Sequence, residues 1–309
     1  MKILITGGAG YVGTKLVKAL VNDLDVEEII VYDNLSRANY NLFLGERFNH
    51  PHKIRFIFGD LLDSRKIRQI LVQYQIEAVY HLAARVTTPF ANTDAHLYEQ
   101  INHWGTSELI LAVEESPTVK KFFYTSSASV YGTSKEMVTE SSEPSPSTFY
   151  GISKYRGEHH VKRMFNKMDA YILRCGNVYG YSKSMRFDAV INKFMFDANF
   201  NSRISIHGNG KQSRAFIHVD VLAKALAQLI KSDAPSGIYN VVDKNMDIIE
   251  IADILKQIFP SLEFIFINQH LTLSEVQVNP ESILRKYIDY TNNKDFMDEM
   301  LEFKQSFSF

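Results

Sequence analysis

Tyr150 and Lys154 stand four residues apart in a stretch that reads as helix, so their side chains share one face, about one turn apart. A free tyrosine has a pKa of roughly 10 and is a poor base at neutral pH. A neighbouring ammonium favours the phenolate, which lets such a pair take a proton from a hydroxyl. Tyr-x-x-x-Lys is also a common accident on solvated helices, so the pair takes its meaning from its surroundings. Upstream, Thr125-Ser126-Ser127-Ala128-Ser129-Val130-Tyr131-Gly132 follows an apolar run. It falls at the C-terminal end of an expected strand, where open parallel sheets place ligands. A hydroxyl there can bond the reacting oxygen beside the tyrosine, although serine clusters after strands are often only loop.

A second constellation opens the chain. Thr6-Gly7-Gly8-Ala9-Gly10-Tyr11-Val12-Gly13 lies between an expected strand and an expected helix. Small residues there let the backbone approach a pyrophosphate, and the helix N-terminus offers free N–H groups to it. Glycine-rich turns are common punctuation. Here, however, Asp33 follows at the end of the second strand, twenty residues past Gly13, with Asn34 beside it. A carboxylate there suits the hydroxyls of an adenosine ribose and repels a 2′-phosphate, so NAD is expected as cofactor. Arg37 is the counter-signal, since a cation nearby suits NADP. An oxidised nicotinamide would further favour a Tyr150 phenolate, and Lys154 can also hold the nicotinamide ribose. Gly59-Asp60-Leu61 follows the third strand. Asp60 suits either the adenine amino group or a helix N-cap.

The elements that must position these residues follow from the apolar pattern. Short apolar runs alternate with amphipathic stretches, which argues for βαβ units and a doubly wound parallel sheet, an α/β fold. Strands are expected at 3–6, 28–32, 54–58, 78–82, 121–126 and 170–174. Helices are expected at 11–21, 64–74 and 95–115, with another from 149. After Asn177 the rhythm changes. A helix is expected over 186–199, a short strand over 203–206, and a βα pattern over 215–217 and 220–231. A further small α/β set is expected at 238–242, 248–258 and 264–267. The reading divides the chain into a dinucleotide-binding Rossmann domain, 1–176, and a smaller domain, 177–309, with 215–242 packing back on the first.

Composition bounds the function. The 309 residues are 45% hydrophobic and 22% charged, so a sizeable core is available. Lys and Arg total 34 against 35 for Asp and Glu, which favours neither nucleic acid nor an anionic membrane as partner. The one cysteine, Cys175, allows no intrachain disulfide and no cysteine-based zinc cluster, and no metal is expected. It fits a reducing, cytoplasmic compartment. The N-terminal apolar run is too short for a signal peptide, and no apolar stretch approaches the ~18 residues of a spanning helix.

Over about residues 1 to 242 the sequence resembles the extended short-chain dehydrogenase/reductase family, particularly its nucleotide-diphosphate-sugar epimerases and dehydratases. Besides the glycine turn, the serine run and the Tyr-Lys pair, the resemblance rests on four further motifs. These are His81-Leu82-Ala83-Ala84, Asn102-x-x-Gly105-Thr106, Arg174-x-x-Asn177-Val178-Tyr179-Gly180 and Arg214-Ala215-Phe216-Ile217-His218-Val219-Asp220. It implies that Tyr150 is the base, Lys154 its activator and Ser127 the hydroxyl partner. It also implies NAD contacts from Gly7, Gly10, Tyr11, Val12, Gly13, Asp33, Asn34, Asp60, Leu61, Leu82, Ala83 and Ala84. Thr87 and Ser127 would face the substrate, with Asn177 and Arg214 on its diphosphate, as suits a guanidinium. A homodimer through a four-helix bundle, two helices from each copy, is implied too.

Three departures narrow the reading. The family's 4,6-dehydratases carry an Asp-Glu pair where this chain has Ala128-Ser129, so the acid/base pair for removing water is missing. The family's Arg-Asp-Phe is Arg214-Ala215-Phe216 here. The Arg-x-x-Asp that many members use on the nucleotide ribose is not evident near 274–280. His207 and His218 read as structural histidines, Lys211 as a surface lysine, and Met185-Arg186-Phe187-Asp188 as a stretch near the sugar with no assigned role. The expected function is an NAD-dependent epimerase on a nucleotide-diphosphate sugar, acting at C4. A dehydrogenase or ketoreductase with net redox change is the alternative. An NAD-sensing regulator is disfavoured, because a sensor needs no Ser127, Tyr150 and Lys154.

Overall fold

A computed structural model describes residues 1–86, 94–268 and 275–307. Thr87 lies outside the described residues.

The first half alternates strand and helix: β1 Lys2–Thr6, α1 Tyr11–Leu20, β2 Glu28–Asp33, α2 Asn41–Leu44, β3 Ile54–Phe58, α3 Ser64–Gln73 and β4 Ala78–His81. Then α4 Ala95–Tyr98 runs through a π-helical turn, Glu99–Trp104, into α5 Gly105–Glu115. Next come β5 Lys121–Ser127, α6 Phe149–Lys162 and β6 Asp169–Cys175. The inner strands β1, β2 and β4 are buried along most of their length because helices cover both faces of the sheet. One buried layer joins α1 and a later helix, α8 Val219–Leu229, to the sheet through residues such as Leu16, Val17, Tyr80 and Leu226. The other lies beneath α3, α5 and α6, around Ile67, Leu109, Phe122 and Val161.

The second half is β7 Asn177–Tyr179, α7 Val190–Asn201, β8 Arg203–His207, β9 Ser213–His218, α8 Val219–Leu229, β10 Gly237–Val241, β11 Lys244–Asp247, α9 Ile248–Ile258, β12 Glu263–Ile267 and α10 Phe296–Ser306. The large sheet runs β3-β2-β1-β4-β5-β6-β10 and is parallel throughout. Its strand order reverses between β1 and β4, the point at which doubly wound sheets open a crevice. β7, β9 and β11 form a small sheet, β8 and β12 a pair, and a separate core packs α7, α9 and α10 together.

Several elements differ from the sequence expectation for identifiable reasons. Residues 238–242, read as a strand of a small α/β set within the stretch 215–242 expected to pack back on the first domain, form β10, which pairs with β6 as the seventh strand of the large sheet. β9 stays in the small sheet, so the return to the large one begins at α8. The helix expected from residue 186 begins at Val190. Arg186 and Asp188 pair through Nε–Oδ1 and Nη2–Oδ2 contacts of 3.0 and 2.6 Å, and side chains two apart do not face each other on a helix. β7, β11 and α10 were not expected. β7 and β11 are three and four residues long, too short for an apolar period to register.

Candidate active site

The glycine turn ahead of α1 is built by close packing. Gly7 has φ of +72°, and a β-carbon there would stand 2.5 Å from the backbone N of Ala83, so the first and fourth strand ends approach in a way only glycine allows. Gly10 is the N-cap of α1 and supplies no side-chain cap. The first intrahelical bond at this end runs from Thr14 N to Gly10 O, which leaves the N–H groups of Tyr11, Val12 and Gly13 at the cleft end of the helix. The Tyr11 ring itself is buried. Its hydroxyl donates to Gly180 O at 2.5 Å and accepts from Asn192 Nδ2 at 3.3 Å, so the side chain ties the turn to the second half.

Asp33 is held by two backbone donors, Ala9 N at 3.0 Å and Leu35 N at 2.8 Å, while burial pushes its carboxyl pKa up. Asp60 does not cap α3. Asp63 does so, accepting from Lys66 N at 3.0 Å. Asp60 instead accepts from Asn34 Nδ2 at 2.9 Å, bridging the ends of β2 and β3.

At the other end of the crevice, Thr148 caps α6 by accepting from Gly151 N at 3.0 Å. The buried face of α6 is small or polar, comprising Gly151, Ser153, Lys154, Gly157, Glu158 and Val161, so apolar periodicity does not reveal it. A β-carbon at Gly157 would stand 2.3 Å from the Tyr124 hydroxyl, so the glycine lets α6 settle onto β5. Lys154 is 2% exposed, and its Nζ lies 4.2 Å from the centre of the Tyr124 ring. Burial pulls its pKa down to about 7. Tyr150 and Ser127 line the same cleft, where the Ser127 hydroxyl donates to Ser129 Oγ at 3.1 Å. Burial raises the Tyr150 pKa. The nearby Ser127 hydroxyl and the charge of Arg186 oppose that rise. Burial dominates both groups, and Arg186 is a cation whose charge opposes it at Tyr150.

Asn102, in the π-helical turn, holds the segment after β4. Its Oδ1 accepts from Arg85 N at 2.8 Å, and its Nδ2 donates to Arg85 O at 2.9 Å and Ser153 Oγ at 3.0 Å. Such turns recur at functional sites. His81 is fixed between Thr6 Oγ1 at 2.8 Å and Thr106 Oγ1 at 2.9 Å, and burial drives its pKa well down, so it is neutral. His218 caps α8, accepting from Asp220 N at 3.3 Å. Neither it nor His207 lines the cleft.

These groups meet in one cleft of about 870 Å³, at the upper end of the range for small-molecule sites. Every residue singled out above for cofactor, catalysis or substrate lines it, Thr87 apart. Asn177 donates to Ala215 O at 3.0 Å. Arg214 makes no hydrogen bond or ion pair among the described residues, and burial alone lowers its pKa. Arg37, Arg85 and Arg186 line the same cleft. Its carboxylates among the described residues are Asp33, Asp60 and Asp188, with Ala128 and Ser129 beside Ser127. Sequence reasoning missed the Arg186–Asp188 pair, the hold of Asn102 on Arg85 and the buried Glu158. No local pattern announces contacts of this kind. Among the described residues no group of His, Cys, Asp and Glu could hold a metal ion, and no helix is long and apolar enough to cross a membrane.

A profile for the NAD dependent epimerase/dehydratase family matches residues 3–241. The chain belongs to that family. It is 29% identical over 303 residues to the dTDP-D-glucose 4,6-dehydratase of Homo sapiens, covering 96% of this chain and 80% of that one. It is 31% identical over 261 residues to a putative UDP-glucose 4-epimerase of Methanocaldococcus jannaschii, covering 82% and 81%. The UDP-N-acetylglucosamine 4-epimerase of Methanobrevibacter ruminantium M1, solved with UDP-N-acetylmuramic acid, superposes with a TM-score of 0.86 at 27% identity, over 99% of this chain and 97% of that one. Membership makes NAD the cofactor and places the chain among enzymes of epimerase or dehydratase type.

Proposed function

We propose that this protein epimerises a nucleotide-diphosphate sugar at C4 by a redox-neutral route. The observation that carries the reading is the meeting, in one cleft, of Ser127, Tyr150 and Lys154 with an Arg214 guanidinium that has no counter-charge among the described residues. A half-buried cation without a partner carries a desolvation cost, and a diphosphate oxygen would supply the partner. The glycine cradle and the uncapped N-terminus of α1 fit a dinucleotide pyrophosphate, with Asp33 on the ribose hydroxyls and Asp60, Leu61, Leu82, Ala83 and Ala84 along its length. When bound, NAD takes up and returns the sugar's hydrogen with its electron pair.

The chain's own residues handle the proton and the orientation. Tyr150 takes the proton from the C4 hydroxyl and returns it once the ketone has presented its other face. Ser127 holds the C4 oxygen, and Lys154 supports the phenolate. Asn177 and Arg214 anchor the diphosphate, so the sugar turns while the nucleotide stays. The human relative is a 4,6-dehydratase, but that chemistry needs carboxylates beside the serine, and Ala128 and Ser129 supply none.

Substrate deuterated at C4 should give product that keeps the label, with no build-up of reduced nicotinamide in solution and no 4-keto-6-deoxy sugar by mass spectrometry. Stoichiometric release of reduced cofactor would establish a dehydrogenase instead. Two copies pair, on this reading, through the face of α4, α5 and α6 that exposes Leu97 and Trp104, 38% and 58% accessible. Sedimentation velocity should show a dimer that Trp104→Glu dissociates.

A further inference from the structure

One turn beyond Lys154, on the same face of α6, lies Glu158, 0% exposed. Its Oε1 accepts from Ser126 Oγ at 2.6 Å and Arg174 Nε at 3.0 Å, and its Oε2 accepts from Arg174 Nη2 at 2.7 Å. Ser126 and Arg174 stand opposite each other in the β5–β6 register, immediately before Ser127 and Cys175. The guanidinium lies 4.8 Å over the Tyr131 ring, and the Tyr131 hydroxyl donates to Asn240 Oδ1 on β10 at 2.7 Å. The network is not fully satisfied, since Arg174 Nη1 and Asn240 Nδ2 are buried with no hydrogen-bond partner. A buried ion pair adds little stability over apolar packing of the same volume, so stability alone does not explain charge at this position.

We propose that Glu158 is a positioning residue for the Tyr150–Lys154 pair: its carboxylate ties α6 to the ends of β5 and β6, fixing both side chains against Ser127, and gives the Lys154 ammonium a buried negative charge to face. The proposal rests on the reading of Tyr150 as base. Lys154 is faced by His81 from β4, Tyr124 from β5, Cys175 from β6 and Glu158 from its own helix, with Tyr150 one turn before it. His81 is neutral, and burial keeps the Cys175 thiol protonated, its pKa pushed up to about 12. Among these groups Glu158 therefore carries the charge that favours the ammonium, as its influence on Lys154 indicates.

The test compares Glu158→Gln, which keeps the shape and loses the charge, with Glu158→Asp, which keeps the charge. Two quantities are read: kcat and KM for the nucleotide sugar, and the titration midpoint of Lys154 in the cofactor-free protein by NMR of ε-13C-labelled lysine. Glu158→Gln should lower kcat by about 10-fold to 100-fold, as a misplaced catalytic group does, with KM within about 3-fold, and move the midpoint down by about one unit. Glu158→Asp should restore most of the midpoint. An unchanged midpoint in Glu158→Gln, or loss of activity only in proportion to loss of folded protein, would overturn the proposal. If Glu158→Gln does not fold, Ser126→Ala decides. It removes one hydrogen bond, and should lower kcat without changing KM or the melting temperature; unchanged kcat would count against the idea. Tyr150→Phe is measured in parallel. Normal turnover there would sink the reading of the base and leave the Lys154 titration to judge Glu158 independently.

Discussion

Burial works against both members of the Tyr150–Lys154 pair, holding the phenol's pKa up and the ammonium's down to about 7. The consequence for stability has a definite sign. A lysine with its folded pKa below its ordinary value of 10.5 carries a penalty wherever the unfolded chain binds the extra proton. The penalty is full below about pH 7 and lifts as pH rises to 10.5, at about 1.4 kcal/mol per unit of displacement. Lys154→Met should therefore melt at a higher temperature than the parent at pH 7, and the advantage should shrink steadily towards pH 10.5. Melting curves at several pH values check this; a difference independent of pH would mean that the lysine titrates normally in the fold.

Among the elements, α6 is the one whose placement matters most and whose sequence pattern announces it least. Its buried face replaces aliphatic side chains with glycine, serine and a charged pair, so the helix is held by contacts rather than by apolar area. Gly157→Ala would push a methyl group into the Tyr124 hydroxyl and the Asn102 carbonyl, 2.3 and 3.0 Å from an ideal β-carbon. Overpacking of this kind costs about 1 to 3 kcal/mol. Tyr124→Phe removes the nearer of the two obstacles, at the expense of the bond from Tyr124 to Lys154 O at 3.2 Å. The double variant should therefore be destabilised by less than the sum of the single ones in a denaturation cycle, and strict additivity would place the strain elsewhere.

Across the whole molecule, one cleft is assembled from two halves that meet at the switch of strand order. Asp33 stands at the dinucleotide end on β2, and Arg214 at the opposite end on β9. The two should respond to different ligands. Asp33→Gly should narrow the preference for NAD over NADP while leaving nucleotide-sugar affinity nearly unchanged. Arg214→Ala should weaken the nucleotide sugar by about 2 to 5 kcal/mol, the usual loss for a buried charge pair, and spare NAD. Calorimetric titration of both ligands against both variants gives four numbers. Parallel weakening of both ligands in either variant would point to a folding defect instead.

What the sequence by itself determined lies close along the chain. The glycine turn ahead of α1, the carboxylate closing β2, the shared face of Tyr150 and Lys154, and the strand-helix alternation are local patterns, governed by steric freedom, hydrogen-bonding capacity and a period of 3.6 or 2 residues. Only the tertiary structure decided what those patterns meet. Tyr11 closes on Gly180 across 169 positions, and β10 pairs with β6 at the edge of the large sheet. Arg186 is a cation that counters burial at Tyr150, and Ser126, Glu158 and Arg174 converge from three elements beneath Ser127. These outcomes depend on which surfaces are buried against which. Burial sets the energies of charged and polar groups, and no spacing along the chain specifies it.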